Sequence, residues 1–363
     1  MVSLKEITNK VIKKNSTLYK TFLPDYKYDF DPKKISKFRK FKTVILIGMG
    51  GSILGARAIY SFLNHKIKKK FIFVDNLDHA LLNKIKKENN LSKCLYLIIS
   101  KSGNTSETIH NVNYFKYFLK KNNVIIVTEN KNNILYKFSK QKGFTFVSHK
   151  TNIGGRYSIF SEAGMLPAYL MGLNMNRFKK NLRKFLNNKK ILSNSIKEIS
   201  KFKNNRFKIL ILFNYIPQLN DFLFWLQQLL AESLGKNKKG FLPVISPAPK
   251  DHHSLLQLYL DGPKDKIFYV FNFLNEKSFN NLKTAQKNAF LEVLKKNKIP
   301  FREINIKKLD EYTLGKLFLL FIIETLALGK LIKVNPFGQP AVEQVKILTK
   351  KFLKSKKFNE KNL

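Results

Sequence analysis

The residues best equipped for chemistry lie between positions 95 and 108. An apolar run (Leu95, Leu97, Ile98, Ile99) gives way abruptly to Ser100, Lys101, Ser102, Gly103, Asn104, Thr105, Ser106, Glu107 and Thr108. The run reads as a buried parallel strand. The periodic residues after it (Ile109, Val112, Phe115, Phe118) predict a helix opening near Thr105 or Ser106. A strand–turn–helix junction aims free backbone N–H groups and the positive end of the helix dipole at one spot. With the hydroxyls and Lys101 added, the guest it suits is a phosphate. The turn lacks the lysine placement and glycine spacing of a Walker A loop, so ATP is not the ligand it points to. Turn and capping work alone would use the same residue types.

Further clusters carry candidate chemistry. Gly48, Met49, Gly50, Gly51 and Ser52 sit where a dinucleotide fingerprint would, with Asp75 after the next strand. Ile53 stands where the third glycine belongs, which weakens an NAD reading. The other readings are a sugar- or phosphate-facing loop, with Gly50 and Gly51 allowing close approach and Ser52 donating a hydrogen bond, or a tight turn needing positive φ. Gly154, Gly155, Arg156, Tyr157 and Ser158 place an arginine, rare in this chain, beside two glycines. A planar, permanently charged fork there suits an oxyanion or enediolate, or a structural ion pair.

A helix predicted over 219–234 carries Gln228 and Glu232 four residues apart, on one face, among Phe222, Trp225, Leu226, Leu229 and Leu230. A desolvated carboxylate would have its pKa raised toward that of a useful general base; a surface glutamate would not. Asp251, His252, His253 and Ser254 begin another helix, with Gln257 and Gly262 beyond. Adjacent histidines cannot face one metal from a helix, and no HExxH or Cys/His cluster is present, so no metal site is expected. A histidine there would serve as a proton shuttle, or the group is a helix start capped by Asp251. Gln339, Pro340, Ala341, Val342, Glu343, Gln344, Val345 and Lys346 open the last helix, with Lys346 expected in its second turn.

The elements that must position these groups follow a βα rhythm. Strands are expected at 43–47, 71–74, 95–99, 124–127 and 144–147, then at 208–213, 241–245, 266–271 and 301–305, with helical stretches between. That alternation predicts parallel sheets with helices on both faces and ligands at the carboxyl ends of the strands. A length of 363 residues accommodates about two domains. Cys94 is the one cysteine, which excludes a disulfide framework and suits a reducing cytosol. The N-terminus lacks a signal peptide's apolar stretch, so a cytoplasmic protein is expected. The apolar run 317–328 is interrupted by Glu324 and is too short for a membrane span. The net charge of +44 comes from lysine spread through the chain rather than from clustered arginine, so dedicated nucleic-acid binding is not expected. Anionic substrates would be steered inward.

In order, these segments resemble the glucose-6-phosphate isomerase (phosphoglucose isomerase) family. The family shows a GGS loop, an SKSGTT-like loop followed by ET, a GGRYS segment, an ExxGK segment, a QHS segment and a terminal Q-x-GVE-x-x-K. This chain has Gly50-Gly51-Ser52, Ser100 to Thr105 with Glu107-Thr108, Gly154 to Ser158, Glu232 to Lys236, His253-Ser254 and Gln339 to Lys346. The resemblance spans about residues 44–350. It implies an α/β fold of two three-layer α/β/α sugar-isomerase (SIS) domains with parallel sheets, plus terminal helices. The implied bounds are 1–40 for an N-terminal helical and loop extension, 41–165 and 166–354 for the domains, and 355–363 for a tail.

The implied activity is interconversion of glucose 6-phosphate and fructose 6-phosphate through a cis-enediol, without metal or other cofactor. The phosphate would fall to Ser52, Ser100, Lys101, Ser102 and Thr105, with Gly51 and Gly155 also on the substrate. Glu232 would be the base and Arg156 the enediolate's cation. His253 and Lys346 would open the ring, and Gln228 and Gln339 would hold sugar hydroxyls. In the family the histidine comes from the partner subunit, which implies a homodimer. The alternatives are dual activity on mannose 6-phosphate and a non-catalytic sugar-phosphate sensor. Against the sensor, both halves are present and residues 1–40 leave no room for a DNA-binding helix-turn-helix. Against the family's pattern, His252 replaces Gln, Ala341 and Val345 replace glycines, Asn104 enters the phosphate loop, and the chain is short.

Overall fold

The computed structural model describes residues 16–188, 193–195, 197–198, 200–202, 206–274 and 281–354. The first fifteen positions of the expected N-terminal extension and the tail 355–363 lie outside the described residues. The described chain forms two units, each drawn from three separated segments. One comprises the described parts of Met1–Tyr26, Arg57–Ile67 and Leu173–Pro336; the other comprises those of Lys27–Ala56, Lys68–Gly172 and Phe337–Leu363.

The second of these units is built on a five-stranded parallel sheet: β1 (Thr43–Gly48), β2 (Lys70–Val74), β3 (Cys94–Ile99), β4 (Val124–Thr128) and β5 (Thr145–Ser148), in the order β2-β1-β3-β4-β5. Every residue of β3 and β4 is buried, which is why their sequences are apolar without alternation. Ile45, Tyr96, Ile98, Phe115, Val124 and Ile126 belong to one core cluster of this unit. Each side chain of that size contributes about 1.5–3 kcal/mol on full burial. The direction of chain progression reverses between β1 and β3, and the register pairs Gly48 with Ile99 and Ile99 with Val127. The segments after Gly48, Ile99 and Thr128 therefore leave the sheet at one level, beside the switch point where open α/β sheets take ligands. The helix after β3 is Ser106–Tyr114; the periodicity that ran on to Phe118 is satisfied by a separate 3-10 turn, Lys116–Phe118.

The other unit carries a four-stranded parallel sheet: β6 (Ile209–Asn214), β7 (Leu242–Pro247), β8 (Lys266–Phe273) and β9 (Phe301–Ile306), in the order β7-β6-β8-β9. Helix Asn220–Leu234 buries Phe222, Trp225, Leu226, Leu229 and Leu230. Helix Glu311–Leu331 is buried along most of its length, and Trp225 meets Phe318 edge-on at 4.6 Å. Its Glu324 is buried against Arg302, 2.7 Å away. Among the described residues no helix is long and apolar enough to cross a membrane. Between β5 and β6 the described residues include the short helices Glu162–Leu170, Met175–Lys179 and Leu182–Asn187.

Candidate active site

The hydroxyl-rich turn closes on itself. Ser100 Oγ lies 2.9 Å from Thr105 Oγ1, Ser102 Oγ lies 3.4 Å from the same atom, and Gly103 N–H donates to Ser100 Oγ at 3.2 Å. Gly103 turns the chain at φ +64°, and a Cβ on it would stand 1.8 Å from Asn133 Oδ1. Only glycine fits both constraints. Thr105 is the N-cap of helix Ser106–Tyr114, but its side chain makes no capping hydrogen bond. The dipole end therefore opens beside three hydroxyls. Asn104 does different work from a ligand: its Oδ1 accepts from Ile134 N–H at 3.0 Å, tying the turn to the next loop.

Lys101 Nζ stands 3.7 Å from Glu129 Oε1, and Glu129 Oε2 is 3.0 Å from Lys131 Nζ. The Lys101 carbonyl is pinned by Glu129 N–H at 3.0 Å and by Thr128 Oγ1 at 3.3 Å. His149, one residue past β5, is buried; its Nδ1 lies 3.0 Å from the Lys150 carbonyl and its Nε2 has no hydrogen-bond partner. Burial, aided by the nearby Lys101 charge, pushes His149 down to about 4. Glu129, Lys131 and His149 were not singled out from the sequence. The signal was positional: Glu129 follows β4 directly, level with Lys101 beyond β3.

In the same unit, the 3-10 turns Gly50–Ser52 and Gly155–Phe160 pack back to back. A Cβ at Gly51 would lie 2.3 Å from Gly155 C and 2.4 Å from Arg156 N. Gly51 thus serves close approach of protein to protein, while Gly50, at φ +51°, supplies the turn. Ser52 follows in that turn, half-buried. Arg156 is 4% exposed, donates from Nη2 to the Gly338 carbonyl at 3.1 Å, and lies 5.1 Å from the Tyr157 ring centroid. Gln339 follows Gly338, half-buried. Lys346 is on helix Glu343–Lys354, in its first turn rather than the second, and its exposed ammonium pairs with Glu343 at 2.7 Å.

The other unit carries the remaining candidates. Gln228 Nε2 donates to Glu232 Oε2 at 2.8 Å, one helical turn along the same face. Glu232 is half-buried, so the apolar helix encloses it in part. The buried Gln228 Oε1 accepts no hydrogen bond. Asp251 is not a cap: Lys250 holds that position, and the buried Asp251 carboxylate accepts from Ser246 Oγ at 2.7 Å and Ser254 Oγ at 2.9 Å. His252 and His253 divide the work. His252 Nε2 is 2.7 Å from Tyr215 OH, and burial, then the neighbouring His253, lowers its pKa. His253 is exposed.

Residues 32–240 match the profile of the phosphoglucose isomerase family, a span that takes in the hydroxyl-rich turn, Arg156 and Glu232. The chain belongs to the phosphoglucose isomerase family. It is 32% identical over 359 residues to the glucose-6-phosphate isomerase of Methanocaldococcus jannaschii, across 91% of this chain and 89% of that one. It is 30% identical to the glucose-6-phosphate isomerase of Campylobacter jejuni, across 86% of each chain. The phosphoglucose isomerase fold is seen in a crystal structure of a glucose-6-phosphate isomerase from Chlamydia trachomatis, similar at TM-score 0.79 and 18% identity over 96% of this chain and 83% of that chain.

Proposed function

We propose that the protein interconverts glucose 6-phosphate and fructose 6-phosphate, an aldose–ketose isomerisation. The observation that carries the reading is the turn Ser100–Thr105: clustered hydroxyls, Lys101 and a helix N-terminus that the Thr105 side chain leaves uncapped, on the carboxyl edge of a parallel sheet. A junction of this kind suits an anion, which supports the reading. Family membership supplies the reaction.

The assignments are residue by residue. Ser52, Ser100, Lys101, Ser102 and Thr105 hold the phosphate, with Gly51 and Gly155 lining the approach. Remote anchoring of this kind positions the reacting carbons. Glu232 takes the proton from C2 of the open-chain aldose and returns it to C1, while the hydroxyl proton passes from O2 to O1. Charge builds on the enediolate oxygens, and Arg156, permanently cationic, offsets it. His253 and Lys346 assist ring opening, and Gln228 and Gln339 hold hydroxyls. A homodimer, with His253 given to the partner's site, and a cytoplasmic location complete the proposal.

The test is a coupled assay of glucose 6-phosphate formation from fructose 6-phosphate in the presence of a chelator, wild type beside Glu232→Gln. Wild type should turn over, and the variant should lose about 10²-fold or more in kcat while retaining sugar-phosphate binding. Binding without turnover by the wild type would overturn the enzymatic reading, and absence of binding would overturn the site.

A further inference from the structure

Glu129 is an acid standing at a site built for an anion. It leaves β4 at the level where Lys101 leaves β3, and its backbone is fully engaged: its N–H donates to the Lys101 carbonyl at 3.0 Å, and its carbonyl accepts from Lys131 N–H at 2.8 Å and Asn133 Nδ2 at 3.1 Å. The side chain contributes nothing to that scaffold. It is 12% exposed and faces two ammonium groups unequally. Lys131 is within hydrogen-bond reach at 3.0 Å; Lys101, at 3.7 Å, is held by charge without a direct hydrogen bond. Lys101 keeps 31% of its side chain exposed, more than Glu129 does, so it is the less enclosed member of the pair. His149 adds no cation beneath the pair, since burial keeps its imidazole neutral at physiological pH. Among the described residues the ion-pair partners of Glu129 are Lys101 and Lys131, which share its one carboxylate.

Given that the turn holds the substrate phosphate, as proposed above, we infer that Glu129 is a built-in rival to that phosphate for Lys101, with Lys131 moderating the rivalry by taking the carboxylate's stronger hydrogen bond. Glu129 is a positioning residue: it touches neither the sugar nor the reacting carbons, and acts through Lys101. The arrangement keeps the ammonium on the carboxyl edge in the absence of substrate, at a cost in phosphate affinity. Because the phosphate stays bound from aldose through enediol to ketose, weakening its hold equally at each stage moves KM and leaves kcat alone.

The experiment measures inorganic phosphate binding by titration calorimetry and, in parallel, KM and kcat with fructose 6-phosphate. Glu129→Gln keeps the shape and removes the charge. It should tighten phosphate and lower KM by roughly fivefold, the scale of a partly exposed ion pair, with kcat unchanged. Lys131→Gln should act in the opposite direction, weakening phosphate by roughly threefold. In a Lys101→Met background, phosphate binding should be weak, and adding Glu129→Gln should change it less than about twofold. Glu129→Gln that leaves affinity unchanged or lower, or that gives the same gain in the Lys101→Met background, overturns the rivalry. A Lys101→Met variant that binds phosphate as well as wild type instead overturns the phosphate site itself.

Discussion

Acid should destabilise this protein partly through one residue, His149. Its imidazole is 1% exposed and is pushed down by burial to about 4, whereas in the unfolded chain it returns to about 6.5. The folded state therefore binds fewer protons than the unfolded state between those values, and stability must fall as pH falls through that window. At 1.36 kcal/mol per unit, the separation amounts to about 3 kcal/mol, fully present above pH ~6.5 and lost by pH ~4. His149→Gln removes the titration. It costs some stability at pH 7.5 through repacking, but that cost should shrink by over 1 kcal/mol for each unit below pH 6. Two measurements check this. Histidine-selective NMR should show the His149 imidazole still neutral at pH 5, its signal absent from the variant. Urea unfolding of both proteins from pH 7.5 to 4.5 should give converging stabilities. Parallel stability curves, or a His149 resonance titrating near 6.5, would refute the account, because the shared carboxylates cancel in the comparison.

Two further expectations concern packing. Gly103→Ala drives a Cβ into Asn133, whose Oδ1 accepts from Tyr136 N–H at 2.9 Å to cap helix Ile134–Lys142. The strained φ and the lost cap should together cost about 2 kcal/mol and weaken phosphate binding, readable by denaturation and calorimetry. Arg302→Met strands the buried Glu324 carboxylate, whose pKa burial already raises, and should cost about 3–5 kcal/mol. Arg302→Met with Glu324→Leu should recover most of that loss in the same unfolding assay.

The parallel sheets and the hydroxyl-rich turn were legible because burial on both faces leaves an unmistakable run such as Cys94–Ile99, and because its end is marked by an equally abrupt change to Ser100 and Lys101. Long-range pairings were not. Nothing in the letters connects Arg156 to the carbonyl of Gly338, since any residue presents a carbonyl. Asn104 read as an intrusion into the phosphate loop, yet it fastens that loop to Ile134. Asp251 read as a helix cap because caps are local, whereas its hydroxyl partners are Ser246 on β7 and Ser254 on the short helix Asp251–Ser254 itself. The pair His252 and His253 could be parted only by seeing which ring reaches Tyr215.

The bond from Arg156 to Gly338 also has a bearing on how the protein is made. Its two ends are 182 residues apart, so at 5–20 residues per second a ribosome needs roughly ten to forty seconds to supply the carbonyl after the arginine has emerged. During that interval the strands β1 to β5 are all available to associate, while the guanidinium still lacks this anchor. A nascent chain should therefore be able to form its sheet well before this bond closes, and whatever orientation the Gly338 carbonyl gives the guanidinium would arrive only near the end of translation.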